Sequence, residues 1–126
     1  MKENGWDEIN RPIGIHIRRT DHKLCIENSP DYLFINKIEE LIKQDPKVKI
    51  FLCTDDVNLK HLLVNKYNRS ILTREIKPRY ANGGFEDGVI DLFLLSKCRE
   101  LYGCCNSGFV EVASLIGKIP LTRLRK

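Results

Sequence analysis

The chain has no apolar run approaching the ~20 residues a membrane-crossing helix needs, so no spanning segment is expected. It holds one tryptophan and one methionine, and its sparse aromatic residues (8%) do not interleave with its lysines and arginines. The stacking platforms and basic tracks of nucleic-acid binders are therefore missing, and that class is disfavoured. The five cysteines (Cys25, Cys53, Cys98, Cys104 and Cys105) have neither the even count of a disulfide framework nor the spacing of a zinc site. Cys53, Cys98 and Cys104 fall in apolar stretches, where a free thiol packs as a small hydrophobe. A reducing, cytoplasmic compartment is the expectation, and no signal-peptide pattern opens the chain. Internal repeats and low-complexity tracts are also lacking.

What is there suits one globular domain. The 126 residues are 42% hydrophobic and 30% charged, enough for a single core flanked by helices. The net charge of +4 is mild, and Arg123, Arg125 and Lys126 read as a solvated tail. Residues 1–11 read as a lead-in or a cut linker, and 12–126 as the domain. Apolar alternation and short β-branched runs place strands near 13–18, 48–53, 70–73, 101–105 and 119–122. Between them, helical periodicity joins Leu33, Ile35, Ile38, Leu41 and Ile42, then Leu59, Leu62, Leu63 and Tyr67. It recurs in Val89, Ile90, Phe93, Leu94 and Leu95, and in Phe109, Val112, Ala113, Leu115 and Ile116. Asp55 or Asp56 can cap the second of these helices, and Gly117 ends the last. Residues 23–30 and the polar, glycine-containing stretch 74–87 read as loops. Alternating strands and helices imply an α/β, Rossmann-like, three-layer domain with a parallel sheet of about five strands.

Three stretches carry chemistry. The first is Pro12-Ile13-Gly14-Ile15-His16-Ile17-Arg18-Arg19-Thr20-Asp21, a strand that ends in two arginines. Gly14 permits close approach of a backbone or ligand. Ligands of open α/β sheets collect beyond the strands' carboxyl ends, and a guanidinium fork matches phosphate oxygens. On this stretch alone, an anion site and a strand edge with solvated basic residues are equally compatible. The second is Asn106-Ser107-Gly108 at a strand-to-helix transition, where unpaired N–H groups and the helix dipole favour phosphate; a plain helix cap is the bland reading. The third is Asp91, set in the apolar helical stretch Gly88–Ser96. A carboxylate there can accept from the N–H edge of a nucleobase or simply face solvent.

Taken in order, these stretches resemble the donor-nucleotide half of the fucosyltransferases with a His-x-Arg-Arg-x-Asp motif. That group includes the α-1,6-fucosyltransferases, the nodulation fucosyltransferases and, more distantly, the protein O-fucosyltransferases. The likeness runs from about Gly14 to Pro120 and takes in His16-Ile17-Arg18-Arg19-Thr20-Asp21, Phe51-Leu52-Cys53-Thr54-Asp55-Asp56, and the spacing from Asp91 to Ser107. The resemblance implies one half of a GT-B fold, with the donor GDP-fucose or a related GDP-sugar as its nucleotide-sugar partner. It implies that Arg18 grips the β-phosphate, that Ser107 binds phosphate, that Asp91 reads guanine and that His16 lies along the nucleoside. Arg19, Asp21, Asn106 and Gly108 complete the expected substrate-binding set, and Arg18 has a catalytic role as well. Glu27 is the candidate general base toward a glycan or protein acceptor.

The implied reaction is an inverting displacement that needs neither metal nor other cofactor. Asp55 and Asp56 have no histidine or further carboxylate at fitting spacing, and read as cap and loop support. Two departures stand out. His22 replaces the lysine of the α-1,6 enzymes, and the N-terminal half that normally helps form the acceptor site has no counterpart here. The alternative reading is accordingly a non-catalytic nucleotide-sugar- or anion-binding module, or a partial domain that needs a partner half.

Overall fold

A computed structural model describes residues 11–18, 23–54, 56–73, 84–104 and 108–125. In chain order the elements are β1 (Ile13–Ile17), α1 (Lys23–Asn28), α2 (Asp31–Gln44), β2 (Ile50–Thr54), α3 (Val57–Lys66), β3 (Ile71–Leu72), α4 (Gly84–Ser96), β4 (Glu100–Cys104), α5 (Gly108–Gly117) and β5 (Leu121–Leu124). The strands form one sheet in the order β3-β2-β1-β4-β5. All of its pairings are parallel, with Ile13 opposite both Ile50 and Glu100. The winding runs outward from β1 to β3, then returns across β1 to β4 and β5. The switch point, where a doubly wound sheet opens a crevice, is therefore between β1 and β4 at their carboxyl ends.

β1 is buried along its whole length, as a central parallel strand must be when both faces carry helices. On one face Ile13, Ile15 and Ile17 pack with Phe34, Ile38 and Leu41 of α2 and with Leu59 and Leu63 of α3. On the other, Phe51 and Cys53 of β2 and Leu101 of β4 meet Leu94 and Leu95 of α4 and Val110 and Ala113 of α5. Burying each large aliphatic side chain contributes about 1.5–3 kcal/mol, so these two layers hold the sheet between its helices.

Gly14 lies on the second face, and its close neighbours are protein side chains. A Cβ there would sit 2.5 Å from Leu101 Cδ2, 3.0 Å from Cys98 Sγ and 3.1 Å from Leu95 Cδ2. Gly117 is needed for a related reason: a Cβ would lie 2.1 Å from the backbone oxygen of Ser96, where the ends of α4 and α5 cross. The left-handed residue that terminates α5 is Lys118, with φ 55°. The Asp56 carboxylate caps α3 by accepting from the Leu59 N–H at 3.0 Å, which settles the choice between Asp55 and Asp56 within the described residues.

Most strand ends shift by a residue or two from the sequence reading, and three differences bear on the site. Residues 23–28 form α1 rather than loop. Residues 84–87, expected in the long polar loop, already belong to α4. β5 begins after Pro120, because proline has no N–H for the ladder; its carbonyl still accepts from the Leu101 N–H at 2.9 Å. That shift brings Arg123 into the sheet and out of the solvated tail.

The packing around the glycines predicts an ordered set of costs. Gly117→Ala meets backbone and should lose about 3 kcal/mol, whereas Gly14→Ala meets flexible side-chain ends and should lose about 1–3 kcal/mol. Gly108, with nothing within 4 Å of an added Cβ, should accept alanine within about 0.5 kcal/mol. Urea titration of the three variants checks the order. The fold should also weaken in alkali. Burial pushes the Cys98 thiol from 9.0 up to about 12, and burial, with the Tyr102–Glu100 hydrogen bond, pushes Tyr102 from 10.0 up to about 12. Both folded values lie above the unfolded ones, so their contribution is complete below pH 9 and is lost as pH rises toward 12. Urea midpoints measured from pH 8 upward should fall through that window, and less so in Cys98→Val.

Candidate functional site at the β1–β4 switch point

The β1–β4 ladder ends at the pair His16 and Gly103. One residue further, a thiol replaces it. The Arg18 N–H donates to Cys104 Sγ at 3.3 Å, and the thiol lies 3.8 Å from the Arg18 carbonyl oxygen, to which it donates. Cys104 is fully buried. Where two strands begin to part, backbone groups lose their ladder partners and would be costly to leave unpaired. The Cys104 side chain meets both groups of Arg18 and so fixes where β1 leaves the sheet. The same Cys104 is the last residue of β4, and α5 begins at Gly108. Arg18 and the start of α5 therefore share one edge of the sheet.

His16 occupies the strand position before Ile17 and is 9% exposed. Its ring stacks on Phe109, the second residue of α5, with centroids 4.8 Å apart and planes 26° from parallel. An imidazole on β1 is thus braced by the first turn of α5, a second tie between the two elements that flank the crevice. Gly108 is exposed and has open space where a side chain would project, which leaves the helix N-terminus approachable. Arg18 itself is half-buried.

The remaining candidates are placed differently. Asp91 is half-buried on α4, about 10 Å along the helix axis from Gly84 at 1.5 Å per residue. Glu27 is exposed on α1 and pairs with Lys23 at 3.9 Å, one helical turn away. Its helix is anchored at the carboxyl edge: the buried Ser29 hydroxyl donates to the Leu124 carbonyl at the end of β5. Arg19, Asp21, Asn106 and Ser107 lie outside the described residues, as does Asp55. Among the described residues, no group of three His, Cys, Asp or Glu side chains gathers as a metal site. No helix among them is long and apolar enough to cross a membrane.

Three residues at this edge escaped the sequence reading. Cys104 read only as a small hydrophobe, Phe109 as one of the apolar positions of α5, and Arg123 as part of a tail. For Phe109 a signal existed: it directly follows Asn106-Ser107-Gly108, so it belongs to the first turn of the helix. For Arg123 no period-2 signal existed, since Leu121 and Leu124 are three residues apart, and Ile119 drew the expected strand N-terminally. Nothing in one dimension pairs Cys104 with Arg18.

No protein-family model and no curated protein matches this chain by sequence. Solved structures do match by fold. The fucosyltransferase NodZ from Bradyrhizobium aligns with a TM-score of 0.59 at 20% identity, covering 84% of this chain and 35% of NodZ. NodZ α-1,6-fucosyltransferase soaked with GDP-fucose aligns with a TM-score of 0.57 at 22% identity, covering 84% of this chain and 36% of that one. POFUT1 in complex with GDP aligns with a TM-score of 0.59 at 13% identity, covering 89% of this chain and 41% of POFUT1. The chain thus spans 35–41% of the length of these proteins. In fold it is a Rossmann-like α/β domain with a five-stranded parallel sheet, similar to part of these fucosyltransferase structures.

Proposed function

We propose that this chain binds the diphosphate of GDP-fucose, or of a related GDP-sugar, in the β1–β4 crevice, and that it is the donor half of an inverting glycosyltransferase. The observation that carries this reading is the thiol-fixed placement of Arg18 beside the strand that leads into α5. It brings a guanidinium fork and a helix N-terminus to one edge, where their effects on a diphosphate add. The same fold in NodZ soaked with GDP-fucose and in POFUT1 with GDP supports it.

In this reading Arg18 grips the β-phosphate. Asn106, Ser107 and the backbone N–H groups from Gly108 onward hold phosphate oxygens, and Arg19 and Asp21 complete the substrate-binding set. His16, braced by Phe109, lies along the nucleoside, and Asp91 accepts from the guanine edge. In the transfer step an acceptor hydroxyl oxygen attacks the anomeric carbon from the side opposite the phosphate. The bond from that carbon to the β-phosphate oxygen breaks, the configuration inverts, and GDP leaves with the electron pair. The hydroxyl proton passes to a base, for which Glu27 is the candidate. Charge that grows on the departing diphosphate is met by Arg18 and the α5 dipole, electrostatic stabilisation that requires no metal.

The 35–41% coverage favours a second reading beside this one, a donor-binding module without turnover of its own. Transfer requires the acceptor hydroxyl to be held in line, a positioning effect worth up to ~7–11 kcal/mol.

Calorimetry with GDP in chelator should show binding, weakened roughly tenfold or more by Arg18→Ala, the worth of a charge-assisted hydrogen bond. Arg18→Lys should restore only part, since an ammonium cannot form the fork. Equal affinity of wild type and Arg18→Ala would overturn the reading. Gly108→Ala, neutral for folding, should lower GDP affinity by filling the open space above α5.

Incubated with GDP-fucose and acceptors, the chain alone should release GDP slowly by hydrolysis and show little acceptor-dependent transfer. Efficient transfer would make it a complete enzyme. Joined to an acceptor half, Glu27→Gln should slow transfer while GDP binding is kept.

A further inference from the structure

β5 is an edge strand, yet it carries an arginine whose contacts reach back to the crevice. Arg123 stands opposite Gly103 in the β4–β5 register. At Gly103 an added Cβ would lie 2.6 Å from Val110 Cγ1, so the first turn of α5 rests directly on β4 at this level. The Arg123 side chain reaches both elements. Its Nη1 donates to the Cys104 carbonyl oxygen at 3.2 Å, and its Nη2 donates to Glu111 Oε2 at 3.0 Å. Cys104 is the last residue of β4, and Glu111 is in the first turn of α5. One planar guanidinium therefore links the end of β4 to the first turn of α5.

We propose that Arg123 is a positioning residue for diphosphate binding: by joining Cys104 to Glu111 it holds the first turn of α5 against the end of β4. This rests on the donor-binding reading above. The pair Arg123–Glu111 is partly exposed, at 30% and 58%, so it adds little to global stability. Its contribution is geometric. Cys104 also sets the exit of β1 through its thiol, so the carbonyl that Arg123 grips belongs to the residue that locates Arg18. Both sides of the phosphate site are thereby referred to one backbone position, and a supporting shell of this kind decides how accurately a binding constellation is held. The rigid fork matters, because the single ammonium nitrogen of a lysine at 123 cannot set two separate nitrogens against the two acceptors in fixed geometry.

The test uses the full chain with Arg123→Gln and Arg123→Lys. Without nucleotide, amide hydrogen exchange over 112–115, the amides that bond back to the first turn of α5, should quicken in Arg123→Gln, while protection of β1 and the urea midpoint stay as in wild type. GDP affinity should fall roughly tenfold, the scale of one lost charge-assisted contact. Guanosine, followed by ligand-observed NMR, should bind as before, and Arg123→Lys should lie between the two for GDP. Unchanged exchange over 112–115 would overturn the proposal whatever the nucleotide does. Equal GDP affinity in wild type and Arg123→Gln, or equal weakening of GDP and guanosine, would overturn it as well. Should wild type fail to bind GDP while the exchange result holds, the donor-binding reading falls and the clamp between β4 and α5 stands.

Discussion

β1 is hydrogen-bonded on both sides, to β2 and to β4, and buried on both faces, and the rest of the molecule is arranged around that double constraint. Its isoleucines fill the layer beneath α2 and α3, while Gly14 is bare so that Leu101, Leu95 and Cys98 can close in from the other side. A strand held in this way cannot slip in register without turning its apolar set toward the wrong layer. Its final residues are thereby delivered to one point on the carboxyl edge. That point is also where the winding reverses, so the helix-covered faces give way there to a crevice.

At that edge, small groups do work that size alone would not suggest. Cys104 takes over from the ladder where β1 and β4 part, and its thiol meets both backbone groups of Arg18. His16 and Phe109 tie the same strand to α5 by ring stacking. Arg123 joins the end of β4 to α5 from the sheet's outer edge. None of these contacts is strong by itself. Their value is that Arg18 and the start of α5 are held relative to each other by several independent ties, the kind of preorganisation that spares a binding site the cost of reorganisation.

The domain is a coherent unit because the two apolar layers of its sheet are completed by its own helices. Glu27, by contrast, is exposed on α1, and its carboxylate is paired with Lys23 of the same helix.

The sequence by itself determined the alternation of strands and helices, the parallel sheet and the edge on which Arg18 leaves it. Those follow from local periodicity, from the apolar runs of a strand buried on both faces, and from the rule that strands joined through helices run parallel. His16, Arg18 and Gly108 were legible for the same reason, being placed by their own strand or helix boundary. Tertiary structure decided what Gly14 and Gly117 are for, since both are explained by atoms far along the chain or on another helix. It also decided that residues 23–28 coil into α1, and that Arg123 is a sheet residue and not a tail. Cys104 was unreadable in one dimension, because a thiol that packs as a hydrophobe and a thiol that clasps a backbone 86 residues away differ only in what the fold brings beside them.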